Sequence, residues 1–263
     1  MYVEKRGQFR GVGKRQTYVW RLFATGACFV LFGLGGLVLG LLVFPLMLLW
    51  PSSPELRRAR IRSSVQRAFR LFVEVMRVVG VLRYEFVGSE RLGRPGQLII
   101  ANHPTLIDVV FIIAFTSAPT CVVKTALFTS PFTRHVVRAA GYLRNTPTDK
   151  MIAYSVSALQ AGDSLVMFPE GARTRVGQPL LFHRGASRVA VEGASVLTPI
   201  FIRVDQLLLN KSYPWYRIPP KIPNFSIVVG EDIDLAPFRS VPIPRGSRCL
   251  NDRLIEIYEK HLA

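Results

Sequence analysis

The chain has 263 residues, of which 34 are Lys or Arg and 17 are Asp or Glu, so its formal net charge is +17. This length allows one α/β domain with an anchor and is short for two full domains. The three cysteines, Cys28, Cys121 and Cys249, form no CxxC pair, which argues against a metal centre or a disulfide scaffold. The basic excess points to an anionic partner, either nucleic acid or an anionic membrane surface.

An uncharged apolar segment, residues 22–50, follows a basic tail over residues 1–21. As one helix, this segment would be about 43 Å long, which exceeds the roughly 30 Å hydrocarbon core of a bilayer. Basic residues flank both of its ends, and the positive-inside rule places such flanks in the cytoplasm. We therefore expect a membrane anchor that is bent or re-entrant near residues 33–40, with one tilted span as the alternative.

Residues 51–80 follow the anchor, and an amphipathic helix is predicted over residues 55–79. Apolar residues recur at helical spacing from Ile61 to Val79, and the opposite face carries arginines. Such a face fits anionic headgroups beside an anchor, and it fits equally a helix packed on the globular domain with its arginines in solvent. Because no recognition motif accompanies the charge, nucleic acid is not an expected partner.

From position 81 to 263, short β-rich runs alternate with helical patterns. This alternation predicts an α/β domain with a mixed, largely parallel sheet flanked by helices. In such sheets, ligands bind beyond the carboxyl ends of the strands. The predicted strands are 82–87, 97–101, 120–123, 164–168, 197–202 and 226–229, and the predicted helices are 105–115, 131–140, 149–161, 185–192 and 249–261.

The strand predicted over 97–101 leads into Asn102 and His103, and Asp108 follows five residues after the histidine. Asn102 or Thr105 can cap the next helix, which would place Asp108 about one turn into it. An imidazole can take a proton from an alcohol near neutral pH, while a carboxylate fixes its tautomer. The pair therefore predicts a hydroxyl-activating dyad. The alternative is a capping or loop histidine that satisfies backbone groups.

A second strand end, at Phe168, is followed by Pro169, Glu170, Gly171 and then Arg173. The proline ends the strand, and the glycine lets the backbone approach a ligand closely. Arg173 offers a guanidinium fork that suits phosphate oxygens, and Glu170 would orient it or bind a substrate hydroxyl. The alternative is a turn with a surface salt bridge.

Two further strand-like runs also end in a basic residue. Lys124 closes the run at 122–123, and Arg144 closes residues 141–144. Taken singly, each of these side chains is more often a solvated charge than a ligand. They are weaker candidates than Arg173.

Four blocks in this order resemble the glycerolipid acyltransferase family, in particular the lysophosphatidic acid acyltransferases. The blocks are residues 102–108, 141–144, 168–174 and 197–200. The resemblance as a whole extends roughly from Tyr84 to Val204. The combination of the first and third blocks is specific. The resemblance implies an acyltransferase domain over residues 81–263.

The resemblance also implies residue roles. His103 would be the general base that deprotonates the acceptor hydroxyl, and Asp108 would orient it. The substrate-binding residues would be Lys124, Arg144, Glu170, Gly171 and Arg173, with the arginines on the acceptor's phosphate. No covalent acyl-enzyme is implied.

The implied partners are a lysophospholipid acceptor, with lysophosphatidic acid as the leading candidate, and an acyl-CoA or acyl-carrier-protein donor. No metal and no cofactor are expected beyond this co-substrate. The implied location is a bacterial inner membrane, with the catalytic domain on its cytoplasmic face and in contact with anionic lipid.

The chain departs from the family pattern at three places, and at one of them Thr133 and Arg134 stand where Gly-Trp is common. Ala172 stands where Thr or Ser is common, and His183 stands where Lys is common. The same chemistry on a different lyso-lipid is therefore an alternative, and a membrane-tethered basic binding protein is a non-enzymatic one. A hydrolase is disfavoured, because the sequence contains no GxSxG motif.

Overall fold

In the computed structural model, residues 11–146, 148–174, 178–206, 209 and 214–262 are described. The chain opens with helix α1 (Gly11–Val38), a π-helical turn (Leu39–Val43) and helix α2 (Phe44–Leu48). The π turn precedes Pro45, which lacks the amide N–H that a regular helix would use. Thr17–Leu48 is long and apolar enough to cross a membrane.

The segment predicted to be an anchor is one continuous helical segment in the structure rather than a hairpin. The backbone stays helical through residues 33–40, where the sequence suggested a break, and the only departure there is the onset of the π turn. Of the predicted basic tail over residues 1–21, the first ten lie outside the described residues. The backbone of residues 11–21 is already part of α1.

Helix α3 (Pro54–Val78) begins one residue before the amphipathic helix predicted from the sequence and ends one residue earlier. Ser53 caps it by accepting a hydrogen bond from the Leu56 amide at 3.3 Å. Its buried face packs on the globular domain, and Phe69 and Phe72 contact Phe32 of α1, with ring centroids 5.9 and 5.5 Å apart. The packed-helix interpretation therefore describes this face, and contact of the arginines with headgroups stays a prediction.

Among the described residues, seven strands form the central sheet, in the order β1-β7-β6-β2-β5-β3-β4. Every adjacent pair is parallel except β6–β7, which is antiparallel. The predicted mixed, largely parallel α/β sheet is confirmed. The strands are β1 (Arg83–Val87), β2 (Gln97–Ala101), β3 (Thr120–Val123), β4 (Leu143–Arg144), β5 (Leu165–Met167), β6 (Val196–Val204) and β7 (Asn224–Val229).

In the part of the chain that the structure describes, six more helices follow α3, with 3-10 turns at Ser89–Arg91 and Thr125–Phe128. The helices are α4 (Asp108–Phe115), α5 (Arg134–Ala139), α6 (Thr148–Gln160), α7 (Arg184–Gly193), α8 (Ala236–Arg239) and α9 (Ile243–Leu262). The start predicted for α9, at residue 249, is wrong. Its first turn contains Pro244, which an N-terminal helical turn tolerates, and Gly246 packs closely on the Phe238 carbonyl.

Helices cover both faces of the sheet, so its central strands are buried on both sides. Along β2, Ile99 packs in one apolar cluster with α3, α4 and α5, while Leu98 and Ile100 pack in the other with α6, α7 and α9. All five residues of β2 are buried. A strand that is buried on both faces has a continuous apolar sequence. Because β2 is packed on both sides, the residues at its carboxyl end are held by a rigid scaffold.

Candidate active site

The site lies where two neighbouring parallel strands end. β2 pairs with β5, and Ile100 lies opposite Met167 in the register. His103 follows the end of β2, and the segment from Phe168 to Gly171 follows the end of β5. Loops that leave adjacent parallel strands at the same edge of a sheet meet there, and this is where α/β folds place ligands.

Asn102 fixes the chain as it leaves β2. Its Nδ2 donates to the Ile202 carbonyl, and its Oδ1 accepts from the Ile202 amide, both at 2.8 Å. The side chain thus continues the pairing of β2 with β6 by one more step. The prediction that Asn102 or Thr105 caps the next helix is wrong, because the N-cap of α4 is Ile107, which makes no side-chain capping bond.

His103 and Asp108 form a direct pair. Nδ1 of the imidazole lies 2.8 Å from Oδ2 of the carboxylate, and Asp108 is the first residue of α4 rather than one turn inside it. A carboxylate at a helix N-terminus is favoured by the helix dipole. Because the carboxylate accepts, Nδ1 carries the proton in this pairing and Nε2 is left as the basic nitrogen.

Thr105 holds the carboxylate of Asp108 from two directions. Its amide donates to Oδ2 at 2.6 Å, and its hydroxyl donates to Oδ1 at 2.5 Å. Complete burial raises the pKa of Asp108, while the hydrogen bonds from His103 and Thr105 act in the opposite direction. The sequence did not assign this partner role to Thr105, although a Thr three residues before an Asp has capping-box spacing.

The loop after β5 contacts His103 on its other sides. The Phe168 ring lies against the imidazole, with centroids 4.4 Å apart and planes tilted by 31°. Glu170 Oε1 accepts from the His103 amide at 2.7 Å and from the Thr174 hydroxyl at 2.9 Å. The Thr174 amide in turn donates to the His103 carbonyl at 2.7 Å. Burial raises the pKa of Glu170, while the His103 and Thr174 hydrogen bonds lower it.

A cavity of about 720 Å³ opens beside the histidine. Of the candidates from the sequence, it brings together His103, Lys124, Glu170, Gly171 and Arg173. Asp108 lies fully buried behind the histidine.

Arg144 is placed differently from the other candidates. Its guanidinium lies over the Phe128 ring, 4.5 Å from the centroid, and among the described residues its neighbours Asn145 and Thr146 line the cavity instead. The Arg173 Nη1 donates to the Leu209 carbonyl at 2.7 Å.

The cavity wall combines cationic and apolar side chains. Lys124, Arg173 and Arg184 line it together with His183, so the wall can receive an anionic group. The larger apolar lining residues include Leu106, Val109, Val122, Val123, Leu127, Met151, Met167 and Phe168. Among the described residues, no group of three or more His, Cys, Asp or Glu side chains could hold a metal ion. The lining fits an amphiphile with an anionic head and an apolar chain.

Comparison with known proteins identifies the class of protein. The acyltransferase family model matches residues 83–203. A 1-acyl-sn-glycerol-3-phosphate acyltransferase from Pseudomonas aeruginosa is 28% identical over 179 residues, which cover 66% of this chain and 68% of that protein. One from Helicobacter pylori is 29% identical over 137 residues, which cover 49% of this chain and 56% of the relative. The chain is an acyltransferase.

A solved structure agrees with the fold. The 1-acyl-sn-glycerophosphate (LPA) acyltransferase PlsC from Thermotoga maritima superposes with a TM-score of 0.64, over 95% of this chain and 98% of that chain, at 20% identity. At this identity, the likeness concerns the fold alone. The family model and the sequence relatives support the resemblance to glycerolipid acyltransferases that the four blocks indicate.

Proposed function

We propose that this enzyme transfers a fatty acyl chain from a thioester donor to the free hydroxyl of lysophosphatidic acid, forming phosphatidic acid. The donor is acyl-CoA or acyl-carrier protein. The observation that carries the assignment is the His103–Asp108 pair, whose imidazole lines a cavity with both cationic and apolar walls. The similar proteins from Pseudomonas aeruginosa and Helicobacter pylori are named for the same acceptor class.

In the proposed reaction, His103 acts as the general base. Asp108 holds the proton on Nδ1, so Nε2 accepts the proton of the acceptor hydroxyl as its oxygen attacks the thioester carbonyl. The tetrahedral intermediate collapses, the carbon–sulfur bond breaks, and the imidazolium returns its proton to the leaving thiolate. Transfer is direct from donor to acceptor, so much of the rate enhancement comes from positioning the two substrates.

The cationic part of the cavity wall binds the acceptor's phosphate in this proposal. Arg173 and Lys124 both line the cavity, and a guanidinium suits phosphate oxygens better than a point charge does. Gly171, with φ of +63°, adopts a backbone conformation that favours glycine and brings the loop backbone to the cavity. Arg144, whose guanidinium lies over the Phe128 ring, precedes the lining residue Asn145 in the chain.

The proposed location is the cytoplasmic face of a bacterial inner membrane. The outward face of the N-terminal helix is apolar, and Leu106 and Leu127 at the cavity are 45% and 37% exposed. Exposed apolar surface of this extent marks a lipid contact in a membrane enzyme. The exposed apolar residues of the N-terminal helical segment include Phe23, Val30, Leu34, Leu41, Leu42, Leu46 and Leu49.

A transfer assay tests this function. The purified enzyme receives labelled acyl-CoA or labelled acyl-carrier protein together with lysophosphatidic acid or one of a panel of other lyso-lipids. The expected product is labelled phosphatidic acid. If it forms with one of the two donors, that donor is the acyl source of the enzyme. Label in a different lipid alone would overturn the acceptor assignment, and an intact thioester with every acceptor would overturn the enzymatic assignment.

A further inference from the structure

We propose that Glu170 is a positioning residue, which acts through the backbone of His103 rather than by binding the acceptor. This inference rests on the proposed role of His103 as the base. It assigns Glu170 a function different from the substrate contact that the family resemblance implies.

The hydrogen bonds around His103 carry this assignment. Glu170 Oε1 receives the His103 amide N–H at 2.7 Å, and the Thr174 amide N–H donates to the His103 carbonyl at 2.7 Å. Both backbone polar groups of His103 are therefore bonded to the loop after β5. The Thr174 hydroxyl donates to the same Oε1 at 2.9 Å, which fixes the carboxylate itself.

The same loop also controls the orientation of the ring. Phe168 covers one face of the imidazole while Asp108 holds Nδ1, so χ1 and χ2 of His103 are set from two sides. The backbone from which the ring extends is set by Glu170 and Thr174. A general base must lie within hydrogen-bond reach of its proton, and a displacement of about 1 Å can cost about 10²-fold in rate.

Electrostatics also argues against an acceptor-binding role. A carboxylate repels a phosphate monoester. Burial raises the pKa of Glu170, and the nearby Asp108 carboxylate adds a smaller effect in the same direction. A charge-assisted bond from a backbone amide compensates a half-buried carboxylate at this position. Glu170 thus stabilises the loop geometry in a wall whose other charges, on Lys124, Arg173 and Arg184, are positive.

Two substitutions separate the roles. In Glu170→Gln the amide oxygen can still accept from the His103 and Thr174 donors, whereas Glu170→Ala removes the acceptor. We expect Glu170→Ala to lower kcat by about 10- to 100-fold with the acceptor KM changed less than about threefold, and Glu170→Gln to recover most of that loss. An increase in acceptor KM of about tenfold at unchanged kcat, or a Gln variant as impaired as Ala, would overturn the proposal.

A readout without turnover keeps this test separate from the proposed function. The chain has four histidines, so selective ¹⁵N-histidine labelling gives four backbone amide signals, and His103→Ala identifies the relevant one. We expect its ¹H shift to move in Glu170→Ala and to stay near the wild-type value in Glu170→Gln. An unmoved signal in a folded Glu170→Ala protein would overturn the contact. Failure of the wild type to acylate any lyso-lipid would instead overturn the proposed function.

Discussion

The side chain of Asn102 and the backbone of Ile202 exchange two hydrogen bonds of 2.8 Å, in the manner of one more pair in the β2–β6 ladder. Asn102 is 3% exposed, so water does not replace these bonds. The residue that follows is His103. The geometry of the proposed base therefore starts from an extension of the central sheet, and not from a flexible loop.

Asn102→Asp tests this extension, because the carboxylate keeps the shape but cannot donate to the Ile202 carbonyl. We expect it to lower the free energy of unfolding by about 2–3 kcal/mol and to reduce kcat, since a buried acceptor loses its donor. Thermal unfolding and transfer kinetics measure both effects. Asn145→Asp is the control for the stability measurement alone, because Asn145 lies outside β2 and β6 but lines the cavity. Equal stability of Asn102→Asp and the wild type would contradict this role.

Asp108→Asn tests the orientation of the base. In the wild type, the two oxygens of Asp108 accept from His103 Nδ1 and from the amide and hydroxyl of Thr105. The asparagine has a single oxygen acceptor for these three donors, and Nδ1 of His103 no longer faces a carboxylate. We expect kcat to fall by about 10²–10⁴-fold, the contribution typical of proton transfer by a positioned group, with little change in acceptor KM. Asp149→Asn is a matched change at a highly exposed carboxylate. Steady-state kinetics that leave Asp108→Asn within about twofold of wild type would remove Asp108 from the dyad.

Arg62 ties α3 to the globular domain. Its Nε donates to the Ala140 carbonyl at 2.8 Å, and its Nη1 lies 2.7 Å from Asp163 Oδ1. We expect Arg62→Met to lower the free energy of unfolding by about 2 kcal/mol, less than for a fully buried pair because the Asp163 side chain is 34% exposed. Arg253→Met, at an exposed pair with Glu256, should change it by less than about 0.5 kcal/mol. Denaturant unfolding that shows equal effects would refute the difference.

Packing of the N-terminal helix on the segment that precedes α5 depends on a close approach of Gly36 to Phe132. A Cβ there would lie 2.3 Å from the Phe132 carbonyl oxygen, whereas among the described residues nothing lies within 4 Å of a Cβ at Gly35. We expect Gly36→Ala to cost about 1–3 kcal/mol of stability through overpacking, and Gly35→Ala to be tolerated. Thermal unfolding and limited proteolysis in detergent compare the two. Indistinguishable variants would mean that α1 does not pack closely against the Phe132 carbonyl.

Much of the fold was predictable, because buried parallel strands are apolar runs bounded by turn residues. β2 and β3 have the bounds expected from their sequences, and the order of strands and helices matches the alternating pattern. The start of α4 was placed three residues too early. The hydroxyl and the amide of Thr105 both donate to the Asp108 carboxylate, and these local hydrogen bonds hold residues 105–107 outside the helix. Helical periodicity in the sequence does not reveal such bonds.

The candidate site was predictable in its components and less so in its contacts. His103 and Asp108 lie near each other in sequence, so spacing alone suggested their pairing. Glu170 meets the His103 amide across 67 positions, and this contact requires the adjacency of β2 and β5, which local pattern does not specify. The stacking of Arg144 on Phe128 likewise depends on where a 3-10 turn lies in space.

The most direct test of the central claim is acyl transfer to lysophosphatidic acid by His103→Ala beside His183→Ala. Both histidines line the cavity, and His103 is the one that pairs with a buried carboxylate among the described residues. We expect phosphatidic acid formation by His103→Ala to fall to the background rate in a protein that still unfolds cooperatively. We expect His183→Ala to keep measurable turnover. Transfer by His103→Ala at a rate near that of the wild type would contradict the assignment of His103 as the base.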